Sequence, residues 1–303
     1  MIITYNSAEV IEACLNSLTS MAPDLSTVVV DNASGDGTLA RVRAMNKPAL
    51  KLIANTTNRG FAGGVNQGVR ASEAEFILLL NPDTRLLTSV DELTQASQQY
   101  GLASGKLVDK TRHAQKGFTV RRFPTPAALI FELFGLNRLW PSNPVNRHYR
   151  YQDKDLDQPG PVEQPAGAFL MFRKDVWERL GGFDESFHPV WFEDVDFCKR
   201  ALDAGFQVQY VPSVAAEHAG GHSVLQTPPG CRTVRWCDSL LRYGSKHFRS
   251  FSYRAVCLAV VLSSVPRAVA GMIQERSFTP GRSCFTVVRS AGQRFLSPRR
   301  TGR

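Results

Sequence analysis

Four short apolar runs in the first 80 residues constrain the fold of this chain more than any other feature. They are rich in Val, Ile and Leu, and each is too short for a typical helix and leads into a polar loop. The runs are Met1–Tyr5, Thr27–Val30, Lys51–Ala54 and Phe76–Leu80. The segments between them have helical spacing, at Ala8–Ser20, Thr38–Met45 and Gly64–Ala71. This alternation predicts an α/β fold with a mostly parallel sheet flanked by helices, which binds ligands at the carboxyl ends of its strands.

The second of these strands ends in a carboxylate, Asp31, followed by a turn and a helix start. An Asp in this place can accept the imide N–H of a uracil or thymine ring, and the backbone amides after it can face a phosphate. The alternative is structural, because Asp36 and Thr38 are typical residues for capping a helix.

A glycine-rich loop, Asn58–Gly68, opens the next helix. Glycine lets the backbone approach a pyrophosphate closely, and we expect Asn58, Gly60 and Asn66 to contact a nucleotide. The loop matches neither the G-x-G-x-x-G fingerprint nor a Walker loop. Close packing of the helix on the sheet is an equally good explanation of the glycines.

The fourth run ends in Asn81-Pro82-Asp83. A hard divalent cation takes one or two carboxylates together with diphosphate oxygens, so Asp83 is a candidate ligand for Mg²⁺ or Mn²⁺. A turn after proline is the alternative. Downstream, His218 and His222 lie on a predicted glycine-rich loop, and one of them could share the metal, although a loop histidine is more often a surface residue.

Three acids follow two aromatic residues in Trp191–Phe197. Capping of the predicted helix Glu193–Ala204 explains one of the acids but not all three. A carboxylate in a partly apolar cleft can act as a general base, and this segment supplies the candidate. The surrounding chain predicts a strand at Gly167–Arg173, a helix at Lys174–Leu180 and a strand at Gln207–Tyr210, while residues 105–165 form a long excursion over the site.

Most of the net charge of +9 is concentrated near the end of the chain. Residues 230–303 hold 14 Lys and Arg against two acids, a net charge of +12. Such a tail fits a partner that carries phosphates, either an anionic lipid surface or a nucleic acid, and a solvated tail without a partner is the third alternative. We favour the lipid surface, because no nucleic-acid-binding module is present.

The domain prediction follows the same division, with a catalytic domain over 1–229, amphipathic helices over 230–276 and a basic, disordered end over 277–303. The apolar residues of the helical part alternate with Arg and Lys, and they either insert among lipid headgroups or pack on the catalytic domain. They are Leu240, Leu241, Tyr243, Phe248, Val256, Leu258, Val261 and Leu262. The uncharged run between Arg254 and Arg267 is 12 residues long and ends at Pro266, too short to span a bilayer.

Six cysteines show no C-x-x-C pair and no zinc-finger spacing, which predicts reduced thiols in a cytoplasmic protein. The first residues show no signal-peptide pattern. Because Met1–Thr4 has the character of the second half of a strand, we expect that strand to begin upstream of Met1.

Taken in this order, the motifs resemble glycosyltransferase family 2, the inverting enzymes of the GT-A fold, from Met1 to about Phe248. The resemblance implies that Thr4, Tyr5 and Asn6 contact the nucleoside and that Asp31 reads the base. Asn81-Pro82-Asp83 stands where the family has Asp-x-Asp. Asp83 would therefore hold the metal and Asn81 would lie at the donor, although its amide departs from the family's acid.

The same resemblance implies that Asp194 is the catalytic base and that His218 is a metal ligand found in some branches. It places Gly167, Ala168, Trp191 and Glu193 at the acceptor site. The wording of the motifs is closest to bacterial rhamnosyltransferases, which use dTDP-L-rhamnose and often an acceptor linked to polyprenyl diphosphate.

The predicted function is transfer of a sugar, by a single inverting displacement, to a hydroxyl group of a cell-wall or polysaccharide acceptor. The predicted location is cytoplasmic, peripheral on the inner face of the plasma membrane, and a homodimer is compatible with the sequence. The alternatives are another UDP- or GDP-linked sugar as donor, and a nucleotide-sugar-binding protein without activity, which draws its support from Asn81.

Overall fold

The computed structural model describes residues 1–45, 47, 49–220 and 227–296. The strands are β1 (Ile2–Thr4), β2 (Thr27–Asp31), β3 (Leu50–Ala54), β4 (Phe76–Leu80), β5 (Thr84–Leu86), β6 (Gly101–Val108), β7 (Val120–Arg121), β8 (Gly160–Val162), β9 (Gln164–Pro165), β10 (Phe169–Arg173) and β11 (Gln207–His218). The helices are α1 (Ile11–Met21), α2 (Thr38–Ala44), α3 (Gly60–Arg70), α4 (Asp91–Tyr100), α5 (Pro126–Leu133), α6 (Leu136–Leu139), α7 (Pro144–Tyr149), α8 (Lys174–Arg179), α9 (Glu193–Asp203), α10 (Pro229–His247), α11 (Ser250–Glu275) and α12 (Thr279–Leu296).

The central sheet has the strand order β3-β2-β1-β4-β10-β6-β11, with β5 and β8 both paired to β11. Two backbone bonds connect β1 with β4, because Met1 donates from its amino group to Leu78 O (2.7 Å) and accepts at its carbonyl from Leu80 N (3.0 Å). This is the bonding pattern of parallel strands. Along that order β10 alone runs antiparallel to its neighbours, so the predicted α/β class with a mostly parallel sheet is confirmed.

Both faces of the parallel strands are covered, which explains why they are continuous apolar runs. In β1 and β2, alternate side chains point to opposite faces. Ile3 and Val30 pack in one cluster with Val65 and Val69 of α3. Ile2 and Val29 pack in the other cluster, with the apolar face of α1: Ile11, Cys14, Leu15 and Leu18.

The chain divides into two compact units. The first comprises Met1–Phe123, Arg150–Pro189 and Glu193–Leu225, and the second Pro124–Tyr149, Val190–Phe192 and Gln226–Arg303. The second unit therefore begins near the predicted boundary at residue 229, but it also includes α5 to α7 from the predicted excursion. Apolar packing explains why α5 belongs to this unit: Leu129 and Leu133 of α5 are buried, and α5 packs against α11.

The sequence predicted a disordered end over 277–303. The structure differs, because Thr279–Leu296 forms the helix α12. Val287 and Ala291 are buried on this helix. Arg294 bonds Asp238 of α10, with 2.5 Å between Nη2 and Oδ1. The many arginines in this segment suggested disorder, although its residues have the amphipathic pattern of a helix. One of these arginines, Arg294, has a specific acidic partner in Asp238. Residues 297–303 lie outside the described part of the chain.

Helix α11 continues through Pro266, where the sequence predicted that the apolar run ends. Side chains near the proline bond carbonyls one turn earlier, from Ser264 Oγ to Val260 O (2.6 Å) and from Arg267 Nε to Ser263 O (3.0 Å). As a result, Ser250–Gln274 has the length and composition of a membrane span, and 39% of its most apolar window is buried inside the structure.

Candidate active site

The ends of β1 and β2 meet at one edge of the sheet, where Thr4 is in register with Asp31. The buried carboxylate of Asp31 accepts from Thr4 Oγ1 (2.8 Å), Ser34 Oγ (2.5 Å) and Ser34 N (2.9 Å). Two of these bonds reach Oδ1 and one reaches Oδ2. A carboxylate has about four acceptor positions, so Oδ2 keeps one for a ligand such as a base imide.

The loop after β1 is tied to the loop after β2 by Asn6. Its backbone N–H donates to Ser34 Oγ (2.8 Å), and its Oδ1 accepts from Gly35 N (2.9 Å). Asn6 adopts the left-handed conformation, with φ of 50°. Tyr5, between Thr4 and Asn6, is exposed. The four residues predicted at the nucleoside therefore form one ordered edge, with the aromatic ring at its surface.

Helix α3 begins at Gly60, four residues earlier than predicted. Asn58 Oδ1 accepts from Gly60 N (2.8 Å) and so satisfies a backbone donor at the helix start. Gly60 has φ of 73°, and a Cβ added to it would lie 2.9 Å from Pro189 O. Phe61 N donates to the same carbonyl (2.8 Å). Close approach to a loop explains Gly60. The predicted packing of the helix on the sheet applies instead to Gly64 and Gly68, whose added Cβ atoms would lie 2.8 Å from Ile3 Cγ2 and 3.2 Å from Val30 Cγ2.

Asn66 links α3 to the segment after α8. Its Oδ1 accepts from Trp177 Nε1 (3.0 Å) and Phe183 N (2.9 Å). Its Nδ2 donates to Phe183 O (2.8 Å) and Glu185 Oε1 (2.9 Å). Four bonds saturate a carboxamide, so the structure gives Asn66 a positioning function within the fold and no spare group for the predicted nucleotide contact.

Asp83 and His218 are brought together by the pairing of β5 with β11. His218 is the last residue of β11 and lies opposite Thr84. The predicted loop is therefore a strand at this point, and His222 lies outside the described residues. Both side chains are buried, at 5% and 2% exposure, and Asp83 Oδ1 lies 3.5 Å from His218 Nε2.

Gln115 fixes the orientation of the His218 ring. Its Nε2 donates to His218 O (2.8 Å), which directs its Oε1 towards His218 Nδ1 (3.1 Å). Nδ1 therefore carries the proton, and Nε2 presents a lone pair to the carboxylate of Asp83. Burial lowers the pKa of His218 although the charge of Asp83 opposes this, and Nε2 has no hydrogen-bond partner within the described chain.

Two electron-pair donors thus face each other at the metal site predicted from the sequence. Phe118 stacks on the imidazole, with ring centroids 5.0 Å apart, and keeps the ring in place. In the described part of the chain, no cluster of three or more His, Cys, Asp or Glu gathers around a point. This pair can hold a divalent cation if a diphosphate and water complete the shell.

Asn81 joins the end of β4 to the start of β10 through its backbone. Its N–H donates to Ala168 O (3.0 Å), and its carbonyl accepts from Thr84 N (3.1 Å). These bonds fix the turn that carries Asp83 and join its first residue to Ala168. The predicted contact of the Asn81 side chain with the donor stays a prediction.

Asp194 is held at the start of α9. Its Oδ2 accepts from Gly167 N (2.9 Å) and its Oδ1 from Val195 N (2.8 Å). Burial raises the pKa of Asp194, and the two backbone donors oppose this only in part. A Cβ on Gly167 would lie 3.0 Å from Asp194 Cβ, so glycine permits this close approach.

Glu193 is a buried carboxyl whose Oε2 has no hydrogen-bond partner among the residues described. Burial and the neighbouring Asp194 raise the pKa of Glu193 well above its usual value. Asp196, the third acid, is bonded by Arg200 Nε (2.7 Å). The three acids therefore differ: Asp196 has an ion-pair partner, Glu193 has a buried oxygen without a partner among the described residues, and Asp194 accepts one backbone bond at each oxygen.

Arg121 provides the positive charge near Asp194 and lowers its pKa against the effect of burial. It lies on β7, which pairs with β9 and places Arg121 opposite Gln164. Its Nε donates to Gly117 O (2.8 Å), and its guanidinium lies over the ring of Phe118. The segment 115–121 therefore acts on two groups. Gln115 at its start orients His218, and the charge of Arg121 at its end lowers the pKa of Asp194.

Trp191 belongs to the second unit together with Phe192. Both have left-handed backbone conformations, with φ of 83° and 70°. Phe192 packs against Trp236 and Tyr243 of α10. The acceptor contact predicted for Trp191 stays a prediction.

Sequence reasoning missed Ser34, Gln115, Phe118 and Arg121. These residues act by orienting a neighbour, and their partners lie up to 103 residues away in the chain, so no local motif marks them. The one available signal was the concentration of aromatic and basic residues in 118–122, inside the predicted excursion.

The fold and this site define an enzyme of the α/β class. It contains the carboxylate of Asp31 beside an exposed tyrosine, the facing pair of Asp83 and His218, and the carboxylate of Asp194, groups of the kind that suit attack by a hydroxyl group on a phosphate-activated donor.

Comparison with known proteins gives the family. The family model for glycosyl transferase family 2 matches residues 1–180, more than half of the chain, and the chain belongs to this family. A second model, described as the N-terminal domain of galactosyltransferase, matches residues 147–220. The protein is an inverting glycosyltransferase, as the sequence motifs predicted.

Two curated relatives are rhamnosyltransferases. The N-acetylglucosaminyl-diphospho-decaprenol L-rhamnosyltransferase of Mycobacterium tuberculosis (strain ATCC 25618 / H37Rv) is 29% identical over 241 residues, 75% of this chain and 77% of the relative. The rhamnosyltransferase WbbL of Escherichia coli (strain K12) is 28% identical over 163 residues, 52% of this chain and 57% of the relative.

Solved structures show the same fold. The mannosyltransferase PcManGT from Pyrobaculum calidifontis, in complex with GDP-Man and Mn²⁺, matches with a TM-score of 0.54 and 17% identity over 97% of this chain and 85% of that chain. At this level of sequence identity, the similarity shows that the two proteins share a fold.

Proposed function

We propose that the protein transfers L-rhamnose from dTDP-L-rhamnose to a hydroxyl group of an acceptor linked to polyprenyl diphosphate, with inversion at the anomeric carbon. The observation that carries the reaction type is the carboxylate of Asp194, fixed by two backbone donors beside the buried Glu193. The names of the relatives from Mycobacterium tuberculosis and Escherichia coli support the sugar, and the name of the first supports the lipid-linked acceptor.

Asp194 acts as the general base in this proposal. Its raised pKa makes it a stronger base than an exposed carboxylate, and the nearby positive charge of Arg121 favours its ionised form. The bonds from Gly167 and Val195 fix both oxygens. The carboxylate removes the proton of the acceptor hydroxyl as the oxygen attacks the anomeric carbon.

The residues present fit a divalent cation. His218 Nε2 lacks a hydrogen-bond partner within the described chain and faces Asp83 Oδ1 at 3.5 Å, an arrangement that is repulsive without a cation or proton between them. Asp83 and His218 would hold Mg²⁺ or Mn²⁺, and the ion would neutralise charge on the leaving diphosphate. Gln115 and Phe118 orient the imidazole for this purpose.

The nucleoside is proposed to bind at the edge formed by Thr4, Tyr5, Asn6 and Asp31. The free acceptor position on Asp31 Oδ2 matches the imide N–H of thymine or uracil, so this edge does not by itself distinguish dTDP from UDP. Asn58 and Gly60 hold the start of α3 in position and are proposed to face the donor, whereas Asn66 supports α3 from the segment after α8.

The acceptor is proposed to approach Asp194 along Gly167 and Ala168, with Glu193 contributing to the same site. Absence of a side chain at Gly167 leaves room beside the base. The raised pKa of Glu193 favours a protonated carboxyl, which can donate a hydrogen bond to a sugar oxygen. We place this reaction at the cytoplasmic face of the membrane, where a lipid-linked acceptor and a soluble donor meet.

The decisive experiment offers purified protein N-acetylglucosaminyl-diphospho-polyprenol with dTDP-L-rhamnose, UDP-N-acetylglucosamine or GDP-mannose, with and without Mn²⁺. We expect product with dTDP-L-rhamnose and loss of product in chelator. Product with another sugar nucleotide alone would assign the donor to that sugar and overturn the rhamnose proposal.

The base is tested by Asp194→Asn, which keeps the shape of the side chain. Turnover should fall by about a hundredfold or more, the usual scale of general-base catalysis, while the affinity for the donor stays nearly unchanged. Asp203→Asn, an exposed acid at the end of the same helix, is the matched control. Turnover of Asp194→Asn close to that of the control would refute the assignment.

A further inference from the structure

Helix α11 has two sides of different character. Its inner side packs with α5, α10 and α12 of the second unit. The buried residues include Tyr253, Val256, Cys257 and Val260. On the same side Ser263 and Ser264 bond backbone or Arg267. Four apolar residues on α10 and α11 that the sequence offered for lipid contact are thus buried: Leu240, Leu241, Tyr243 and Val256.

The outer side of α11 is apolar and exposed. We call it the outer stripe; its residues are between 47% and 86% exposed and recur at intervals of three, four or seven. They are Phe251, Leu258, Leu262, Val265, Val269 and Ile273. At about 100° per residue these six positions fall within an arc of about 80°. At about 1.5 Å per residue the stripe is about 33 Å long, a continuous surface rather than scattered exposure.

The surroundings of the outer stripe are cationic. No acid occurs between Ser239 and Gln274, and the two acids after residue 230 are Asp238 and Glu275. Asp238 is already paired with Arg242 and Arg294. Several arginines of the same unit are exposed, four of them at or near the ends of α11 and α12 and one in the middle of α12: Arg249, Arg254, Arg276, Arg282 and Arg289.

A long apolar stripe with arginines around it matches the headgroup layer of an anionic membrane. Apolar side chains enter the boundary with the acyl chains, and each nearby Arg gains about 1 kcal/mol from anionic lipid. A second copy of this chain fits the stripe less well, because two surfaces of the same positive sign repel each other.

Crossing the membrane fits less well too, although α11 has the length and composition for it. A crossing helix would have to give up the packing of its inner side against α10 and α12. Burial of Val256, Cys257 and Val260 would be lost in exchange for lipid contact of similar polarity. Lying in the interface preserves this packing and covers the outer stripe.

We propose that the outer stripe of α11 is a docking surface for anionic lipid, on which the helix lies in the plane of the membrane. The inference is independent of which sugar is transferred. It adds to the proposed function a reason why a lipid-linked acceptor would be found by diffusion in two dimensions.

The test is sedimentation of the full-length protein with vesicles of phosphatidylcholine containing 30% phosphatidylglycerol, or of phosphatidylcholine alone, at low and high salt. The double variant Leu258→Glu with Leu262→Glu places two charges in the stripe, far from the catalytic residues in sequence. Met21→Glu, an exposed apolar residue of the first unit, is the matched control. Thermal melting of each variant shows whether it is folded.

We expect wild type and Met21→Glu to bind anionic vesicles at low salt and to bind at least about tenfold more weakly in high salt or to neutral vesicles. The double variant should lose at least about tenfold in partitioning, since two charged side chains replace two leucines that would enter the apolar boundary. All forms should retain transfer to a water-soluble acceptor.

Four results would overturn the proposal. The wild-type protein could stay in the supernatant, or the double variant, folded, could bind as well as the control. Sedimentation without vesicles could show a dimer that the double variant dissociates, which would assign the stripe to a second copy. Bound protein that resists both high salt and alkaline carbonate would assign α11 to a membrane span.

Discussion

At the residue scale, the chemistry at the start of α9 depends on two adjacent carboxyl groups, those of Glu193 and Asp194, that differ in hydrogen bonding. Glu193 is buried with an oxygen that no described residue bonds, whereas Asp194 has a bond to each oxygen. Burial favours the neutral form of both carboxyl groups. At Asp194 the two backbone hydrogen bonds oppose this effect, because they stabilise the ionised form. Burial and the neighbouring charge of Asp194 raise the pKa of Glu193 well above its usual value, which favours the proton on Glu193.

The first prediction concerns Arg121, the cation that favours ionised Asp194. Removing the charge in Arg121→Gln should raise the pKa of Asp194 further, because the carboxylate loses a stabilising partner while Glu193 and burial stay. The acid limb of the kcat/KM profile should then move to higher pH, and activity above that limb should change little.

Arg121→Lys is the control, since it keeps the charge and should keep the wild-type profile. A purely structural function would lower activity at every pH and leave the limb in place. Finding that pattern in Arg121→Gln would contradict the electrostatic assignment.

The second prediction concerns Gln115, which orients His218 without a place in the metal shell. Gln115→Ala should weaken binding of Mn²⁺ by about 10- to 100-fold, the usual cost of losing a residue that orients a metal-binding histidine. The measurement is titration with Mn²⁺ followed by electron paramagnetic resonance, alone and with dTDP, so that it does not depend on turnover.

Gln207→Ala, an exposed position at the start of the same strand as His218, should bind Mn²⁺ like wild type. Asp83→Ala should show the largest loss. If Gln115→Ala bound Mn²⁺ as tightly as Gln207→Ala, the ring orientation inferred for His218 would be wrong.

At the element scale, sequence patterns located most elements and misjudged some ends for identifiable reasons. The helix expected from Gly64 begins at Gly60, because a glycine with φ of 73° turns the chain directly into the first turn. The strand expected to end at Tyr210 continues to His218 through a shift of register between Val211 and Ala215, where Pro212 lies. Periodicity does not reveal a bulge, since pairing resumes on a partner distant in sequence.

The third prediction tests the start of α3. Gly60→Ala should lower the free energy of unfolding by about 1–3 kcal/mol, because it forces a side chain into the left-handed region and brings Cβ within 2.9 Å of Pro189 O. Gly35→Ala is the control, since nothing lies within 4 Å of its added Cβ and its φ is not left-handed. It should change stability by less than about 0.5 kcal/mol.

Thermal or denaturant unfolding measures both variants. Equal stability of Gly60→Ala and Gly35→Ala would show that the segment around Pro189 yields easily to the added methyl group. The packing explanation of Gly60 would then fail, and backbone approach to a diphosphate would be the better account of the glycine.

At the scale of the whole molecule, the sequence predicted the sheet and the residues that bring the chemistry, but not the composition of the second unit. Strand ends carry carboxylates in a recognisable order, and the structure brings Asp83 and His218 together as expected. By contrast, Pro124–Tyr149 joins helices that follow it by about a hundred residues, a long-range contact without a local signal. Composition alone also suggested disorder for α12, where a single ion pair with Asp238 and a narrow apolar face stabilise a helix.

The last prediction uses the six cysteines to test burial in both units at once. All are free thiols in the structure, and four are buried: Cys14, Cys198, Cys237 and Cys257. Burial raises the pKa of the Cys14 thiol to about 12 and that of Cys237 to about 11, so the reactive thiolate is scarce near pH 8. Cys231 is exposed and Cys284 half-buried.

A disulfide reagent such as DTNB should therefore modify two thiols rapidly in the folded protein and all six in denaturant without reductant. Four or more rapid thiols would mean that the packing around Cys14 or Cys237 is looser than the structure shows. Fewer than six in denaturant would reveal a disulfide and contradict the expectation of a reducing, cytoplasmic location.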